Sequence, residues 1–307
     1  MRSWLMLIML IVPLSASARL YVTVIQGLGG NEHYAGQFAA ETKNISQAAI
    51  RLTGKTRVTV LSGKQATRQN ILAHFKKLEK SVTAGDRLAL FLIGHGSYDG
   101  RQYKFNIPGP DITGKDLGDI LQACPAKRQL LVNTSSASGA VLKDLKGDTR
   151  IIITATRSGT ERIAPHFGGF FVAALGDYSA DTNKNNTISA EEAFTYAQRQ
   201  TQDYYKNEGH LATEHPQLEG QHADLFTIAR LVTAQKKSTN PAVVRLLKQR
   251  QDLNQQIDDL KDRKDEFKTS EDYYNRLQDL LLQLSRLQEQ IDKLNGTGGD
   301  DSKNASP

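Results

Sequence analysis

Two apolar segments of the chain end in residues able to act on a carbonyl group. The run Arg87–Ile93 (RLALFLI) passes into Gly94-His95-Gly96-Ser97, and residues 129–132 (QLLV) pass into Asn133-Thr134-Ser135-Ser136-Ala137-Ser138-Gly139. A histidine and a serine at the ends of two strands of one sheet are the parts of a nucleophilic site. The imidazole moves a proton, the hydroxyl attacks, and Gly96 lets the backbone approach a ligand closely.

A second group of side chains has the spacing of a calcium loop between two helices. Within residues 181–192 (DTNKNNTISAEE), Asp181, Asn183, Asn185, Ser189 and Glu192 place oxygen ligands at positions 1, 3, 5, 9 and 12, with the Thr187 carbonyl at 7 and apolar Ile188 at 8. Asn186 stands where glycine is usual, and asparagine accepts positive φ more readily than most residues. Only Asp181 and Glu192 bring charge, so a bound calcium ion would be held weakly. A turn whose Asn and Ser side chains bond the backbone is the equal alternative. Gly27-Leu28-Gly29-Gly30 lacks the spacing of a dinucleotide or phosphate loop and reads as a tight turn.

These groups need a scaffold, and the pattern around them supplies one. Apolar strands are expected over residues 20–26, 57–61, 87–93, 129–132 and 150–155, alternating with helices over 32–53, 68–83, 117–123, a short one after Gly139, and 167–175. Strands this uniformly apolar fit a parallel sheet covered on both faces, so the fold class is α/β, a mostly parallel sheet with helices on both sides. The segment after residue 93 is read as a long loop. In open sheets of this kind active groups gather at the carboxyl ends of the strands.

From Asn240 the composition changes and glycine vanishes until Gly296. Tyr273, Leu277, Leu280, Leu284, Leu287, Ile291 and Leu294 recur with 4,3 spacing, which draws one apolar stripe along a helix. Leu246, Leu253, Leu260 and Phe267 do the same at sevenfold spacing, and Thr269-Ser270 ahead of Glu271-Asp272 reads as a new helix start. A helical hairpin over residues 241–295 is expected, one long coiled-coil helix being the alternative, with residues 296–307 as a flexible tail.

The chain of 307 residues is 39% apolar and 23% charged, which excludes a disordered chain and a multi-span membrane protein. Its single cysteine, Cys124, excludes an internal disulfide, and no Cys/His spacing suits zinc. Residues 1–18 read as an export signal: Arg2, an apolar run of eleven residues from Trp4 to Leu14, then Ser15-Ala16-Ser17-Ala18. The expected cut follows Ala18. Eleven residues are too few to span a bilayer, so no transmembrane segment is expected in the mature chain, which would be periplasmic or secreted. Without Arg2 the mature chain carries 38 basic and 33 acidic residues, with 11 basic and 13 acidic of these from Pro241 onward. A mildly basic body without an aromatic platform argues against a nucleic-acid partner.

Over about residues 20–226 the chain resembles the caspase, legumain and gingipain superfamily of cysteine peptidases, and within it the legumain-like bacterial branch. The block LALFLIGHGSYDG carries most of the likeness. The resemblance implies that His95 matches the catalytic histidine, Gly96 the glycine whose N–H helps form the oxyanion hole, and Ser138-Gly139 the trailing Ser-Gly. Ser136 stands where the nucleophilic cysteine would be, and Thr134 where an acidic residue is common. The segment Ala212-Thr213-Glu214-His215-Pro216-Gln217 resembles a stretch beside the catalytic sheet, with His215 in a structural role.

A hydroxyl needs a strong, well-placed base to become a nucleophile, whereas a thiol is appreciably ionised near neutral pH. The expected protein is therefore a degenerate peptidase that binds peptide or protein partners, with its C-terminal helices serving self- or hetero-association. An active hydrolase using His95 and Ser136 is the alternative. A hydrolase of the nucleophile-elbow type is disfavoured, because neither Ser136 nor Ser138 has glycine two residues before and after it.

Overall fold

The computed structural model describes residues 18–147, 149–231 and 240–296. The expected leader falls outside these residues apart from Ala18, and the expected tail falls outside apart from Gly296. The chain opens with β1 (Leu20–Gln26), α1 (Glu32–Thr53), β2 (Val58–Leu61), α2 (Arg68–Ser81) and β3 (Arg87–Ile93). The segment after β3 is no loop. It folds as β4 (Gly96–Tyr98), β5 (Tyr103–Phe105) and β6 (Ile112–Thr113), a small antiparallel sheet that leads into α3 (Gly114–Ala123). Next come β7 (Arg128–Asn133), α4 (Leu142–Leu145), β8 (Arg150–Thr154) and α5 (Phe167–Ala174). The domain closes with β9 (Thr187–Ser189), α6 (Ala190–Asn207), β10 (Gln217–Glu219) and β11 (Thr227–Arg230), followed by α7 (Pro241–Asp262) and α8 (Ser270–Gly296).

The main sheet has the order β10-β8-β7-β3-β1-β2, parallel throughout except for β10, which runs antiparallel to β8. Alternation along the strands divides the interior in two. Ala89, Phe91 and Ile93 of β3, with Leu130, Val132, Ile151 and Ile153, face α1, α5 and α6. Leu88, Leu90 and Leu92, with Leu131 and Ile152, face α2, α3 and α4. Both sides of each strand are thereby apolar, the pattern a doubly covered parallel sheet demands. The short strands β4–β6 bury Tyr103, Phe105 and Ile112 in the second of these cores.

Helix starts follow ordinary capping chemistry. Thr67 accepts from the Asn70 N–H at the start of α2, while Thr113 with Asp116, and Ser189 with Glu192, form complete capping boxes for α3 and α6. The two C-terminal helices form a hairpin, with Ile257 and Leu260 of α7 packed on Tyr273 and Leu280 of α8 and Arg250 donating to Gln288 at 2.8 Å. Asp258 reaches back to the Thr227 hydroxyl at 3.4 Å, and Asp259 lies 3.9 Å from Arg87.

Two outcomes follow from these contacts. Leu280 and Leu287 are buried, and each contributes on the order of 2 kcal/mol. The double change to Asp is expected to open the hairpin, read as protease cuts within residues 241–296 and as lost helical circular dichroism. His74 pairs its Nε2 with the Thr23 hydroxyl at 2.9 Å; burial, aided by Lys77, lowers its pKa from the ordinary 6.5 to about 4. A depressed histidine is held neutral by the fold, so its contribution is complete above pH 6.5 and is lost as pH falls toward 4. Replacing it in His74→Gln is expected to flatten that part of the urea-midpoint profile, leaving the carboxylates to account for the rest.

Candidate functional site

Counted along the parallel strands, the sheet reverses its order between β1 and β3, and ligand crevices in open α/β sheets lie at such a reversal beyond the carboxyl ends. His95 leaves β3 there, beside the Gly27–Gly30 turn that leaves β1. Its Nε2 lies 3.1 Å from the Gly29 carbonyl oxygen. A carbonyl oxygen only accepts, so Nε2 carries the proton, and in the neutral ring Nδ1 keeps its lone pair. Edge-to-face contacts with Tyr34 and Phe38 of α1, at 4.8 and 5.0 Å between ring centres, fix the plane of the imidazole. The turn itself depends on Gly29, where an added Cβ would lie 2.5 Å from the Ala35 nitrogen.

Ser136 follows β7, the neighbour of β3. The turn that presents it rests on a buried polar network among Asn133, Ser135 and Tyr103. The Ser135 hydroxyl donates to Asn133 Oδ1 at 2.8 Å, the Tyr103 hydroxyl lies 2.7 Å from Ser135 Oγ, and Asn133 Nδ2 donates to the Tyr103 oxygen at 2.9 Å. Burial drives the Tyr103 phenol well above its usual range, which keeps it protonated and able to donate. Ala137 then adopts the left-handed conformation, φ 54°, and its N–H donates to the Glu161 carbonyl at 2.8 Å.

Neither the hydroxyl nor the backbone N–H of Ser136 hydrogen-bonds to any described residue, although Ser136 is only 5% exposed. Among the described residues both donors are therefore unpaired, and no base is bonded to the hydroxyl. Gly96 brings the histidine segment against this turn. A Cβ there would stand 2.5 Å from Ser135 Oγ, 2.6 Å from the Ser136 carbonyl oxygen and 2.7 Å from the Tyr103 hydroxyl, so only glycine fits. His95, Gly96 and Ser136 thus converge on one end of the sheet. The imidazole is bonded to Gly29 and not to Ser136.

The following Ser138-Gly139 pair anchors the turn. Ser138 Oγ accepts from the Thr156 N–H at 3.1 Å, the Gly139 N–H donates to Thr156 Oγ1 at 2.9 Å, and a Cβ on Gly139 would collide with the backbone of Arg157 and Ser158. His215 lies on Glu161, Nδ1 to Oε1 at 2.6 Å, and so braces the same loop. Beside His95 is a narrow cleft lined by Tyr34, Phe38, Glu41, Thr134, Pro165 and Gly168, with about 10 Å³ open to a water-sized molecule, the room of about one water. Glu41 is buried at its wall; burial raises its pKa, opposed by a 2.8 Å hydrogen bond from Gln37. Leu28 and Ile163, from two of the loops that meet here, are exposed. Glu41 and Tyr103 have no motif around them in the sequence, and only placement reveals them; Asn133 opens the run 133–139, but its part in the buried network shows only in the structure.

The loop of residues 181–192 closes on itself. Asp181 accepts from the N–H groups of Asn185 at 3.1 Å and Asn186 at 2.9 Å; Asn185 Oδ1 accepts from the N–H and hydroxyl of Thr187. Glu192 Oε1 accepts from Thr182 and Asn183, and its Oε2 from the N–H and hydroxyl of Ser189, each at 3.0 Å. Lys184 and Asn186 both take positive φ, 63° and 64°. Asn183 Oδ1 also bonds the Asn185 N–H. Among the described residues no group of three or more His, Cys, Asp or Glu side chains converges as a metal site.

No protein-family model matches the chain, and no curated protein does. Among solved structures the chain is similar to protein GSU0716 from Geobacter sulfurreducens, with 14% identity over 70% of this chain and 100% of that one and a TM-score of 0.46, a likeness too distant to carry an argument.

Glu192 ties both ends of its loop to the start of α6. Glu192→Ala strands the Thr182, Asn183 and Ser189 donors and is expected to cost about 1–3 kcal/mol, seen as a lower urea midpoint, with Glu192→Gln losing less.

Proposed function

We propose that the chain is an exported protein of caspase/legumain-like type whose peptidase site is degenerate, and that it binds peptide or protein partners at the His95–Ser136 end of the sheet. The observation that carries this reading is Ser136, whose N–H and hydroxyl have no partner among the described residues, with no base there bonded to the hydroxyl. Unpaired donors at a strand end suit the carbonyl oxygen of an extended peptide, and Gly96 N–H is the proposed second donor to it. The exposed Leu28 and Ile163 supply apolar surface for flanking side chains.

One observation favours turnover by the alternative hydrolase. Donation from His95 Nε2 to Gly29 leaves Nδ1 free to take a proton. A base without a hydrogen bond to its nucleophile, and with its other nitrogen on a backbone carbonyl instead of a carboxylate, gives a hydroxyl little activation. Binding without efficient turnover is the reading adopted. Calcium binding by Asp181, Asn183, Asn185, Thr187, Ser189 and Glu192 stands as a separate proposal, in the 10⁻⁴ to 10⁻³ M range of sparse extracellular sites, and titration calorimetry to several millimolar calcium tests it. The hairpin of α7 and α8 is the proposed surface for association.

Ser136→Cys is the informative variant. A thiol at that position is expected to react with iodoacetamide, located by mass mapping, while Cys124 stays unmodified because it is buried and burial raises its pKa. Native protein is expected to show little or no proteolysis and no adduct with a fluorophosphonate probe. Peptide cleavage abolished by Ser136→Ala would establish the hydrolase instead. Alkylation at Cys124 with position 136 untouched would show that the site lies elsewhere.

A further inference from the structure

At the opposite, amino end of the sheet lies a charged site that the cleft does not use. Asp86, in the turn before β3, is 3% exposed, and its carboxylate takes five hydrogen bonds. Oδ1 accepts from the backbone nitrogen of Arg19 and from its Nε, each at 3.0 Å; Oδ2 accepts from Arg19 Nη2, Thr83 N and Thr83 Oγ1, each at 2.8 Å. Burial pushes this carboxyl up, but the Arg19 and Thr83 bonds outweigh it and hold the group well below the usual carboxylate range. Among the described residues the cation paired with it is the Arg19 guanidinium, whose side chain is 44% exposed and therefore partly screened.

The donor of interest is the backbone nitrogen of Arg19, because it belongs to the bond at which the leader is expected to be cut. We propose that Asp86 is the seat of an α-ammonium group formed when the chain is cleaved between Ala18 and Arg19. Water adds across that peptide bond, leaving a carboxylate on Ala18 and an amine on Arg19, which takes up a proton. The neutral N–H at 3.0 Å from Oδ1 then becomes a full positive charge in the same place. The strand needs no rearrangement, since the Arg19 carbonyl already accepts from Arg87 N at 2.8 Å and Thr53 Oγ1 donates to the Leu20 carbonyl at 2.6 Å. Removal of the leader thus strengthens the fold at the first residue it leaves behind. The place of the cut rests on the leader reading; what the new terminus does rests on the geometry.

The groups near the new ammonium are Asp86, the Arg19 guanidinium, the Tyr21 ring 5.6 Å beneath that guanidinium, and the Cys124 thiol, which feels the Asp86 charge. Asp86 dominates by contact, so the ammonium titrates above the ordinary α-amine value of about 7.7–8.0. A raised pKa contributes stability that is complete below pH of about 7.7 and disappears as pH rises through the folded value.

The test compares two full chains: residues 19–307, released from a fusion so that Arg19 is first, and residues 15–307, in which Arg19 keeps its amide. The shorter chain is expected to melt about 2–4 °C higher at pH 6.5, with the gap closing as pH approaches about 10. Asp86→Asn in both chains is expected to erase the gap. Equal midpoints at pH 6.5, or a gap unchanged by Asp86→Asn, would overturn the proposal. Should the Asn variant not fold, reductive methylation of the terminal amine decides: a titration above pH 8.5 supports the seat and one at or below 8 refutes it. N-terminal sequencing of protein from the envelope fraction checks the cut independently, and a first residue other than Arg19 would refute the ammonium's place in the mature chain.

Discussion

The carboxyl end of the sheet depends on satisfying one buried polar cluster. Asn133, Ser135 and the Tyr103 hydroxyl are sealed in an apolar interior, where each unpaired group would cost about 1–3 kcal/mol. They satisfy one another, and in doing so they dictate the backbone around them. Asn133 Oδ1 takes up the Ser135 N–H and hydroxyl, which bends the chain out of β7, and Tyr103 can reach the pair only because β4 and β5 fold back over the strand ends. The tight fit of Gly96, the left-handed Ala137 and the unpartnered donors of Ser136 all descend from that arrangement.

Much of the scaffold was legible before any coordinates. Strands β1 and β3 have the limits that apolar runs bounded by turn residues imply, and α1 spans 32–53 as its periodicity requires. Burial on both faces erases alternation and leaves an unmistakable continuous run, while the 4,3 repeat of α8 marks a helix with one buried stripe. Strands β4–β6 were missed for the opposite reason. Each has two or three residues, the Gly and Pro residues around them signal turns, and their stability comes from Tyr103, Phe105 and Ile112 entering a core built by distant segments. The candidate site divides in the same way. His95, Gly96 and Ser136 announce themselves by their position after strands, whereas the pairing of His95 with the Gly29 carbonyl is a contact across 66 residues that no local pattern encodes.

A serine rather than a thiol at the turn after β7 decides which features of that turn matter chemically. A thiolate attacks without a base in contact, so a frame built around one tolerates a histidine that faces elsewhere. A hydroxyl needs a base in contact, and among the described residues none is bonded to the Ser136 hydroxyl. The turn and its neighbours nonetheless carry costly geometry, including a non-glycine residue at positive φ and three glycines packed against backbone or fixed side chains. The left-handed Ala137 alone costs about 1–2 kcal/mol relative to an ordinary conformation.

The strand order has a consequence for how the chain is assembled. In order of synthesis β2 pairs with β1, β3 with the other edge of β1, β7 with β3, β8 with β7 and β10 with β8. Every strand of the main sheet therefore finds its neighbour already made, and none must insert between two strands that are already paired. Such a chain can fold progressively from its amino end, with no completed pair reopened. The short antiparallel β10 then ends the sheet's growth. A topology of this kind asks for no second pass.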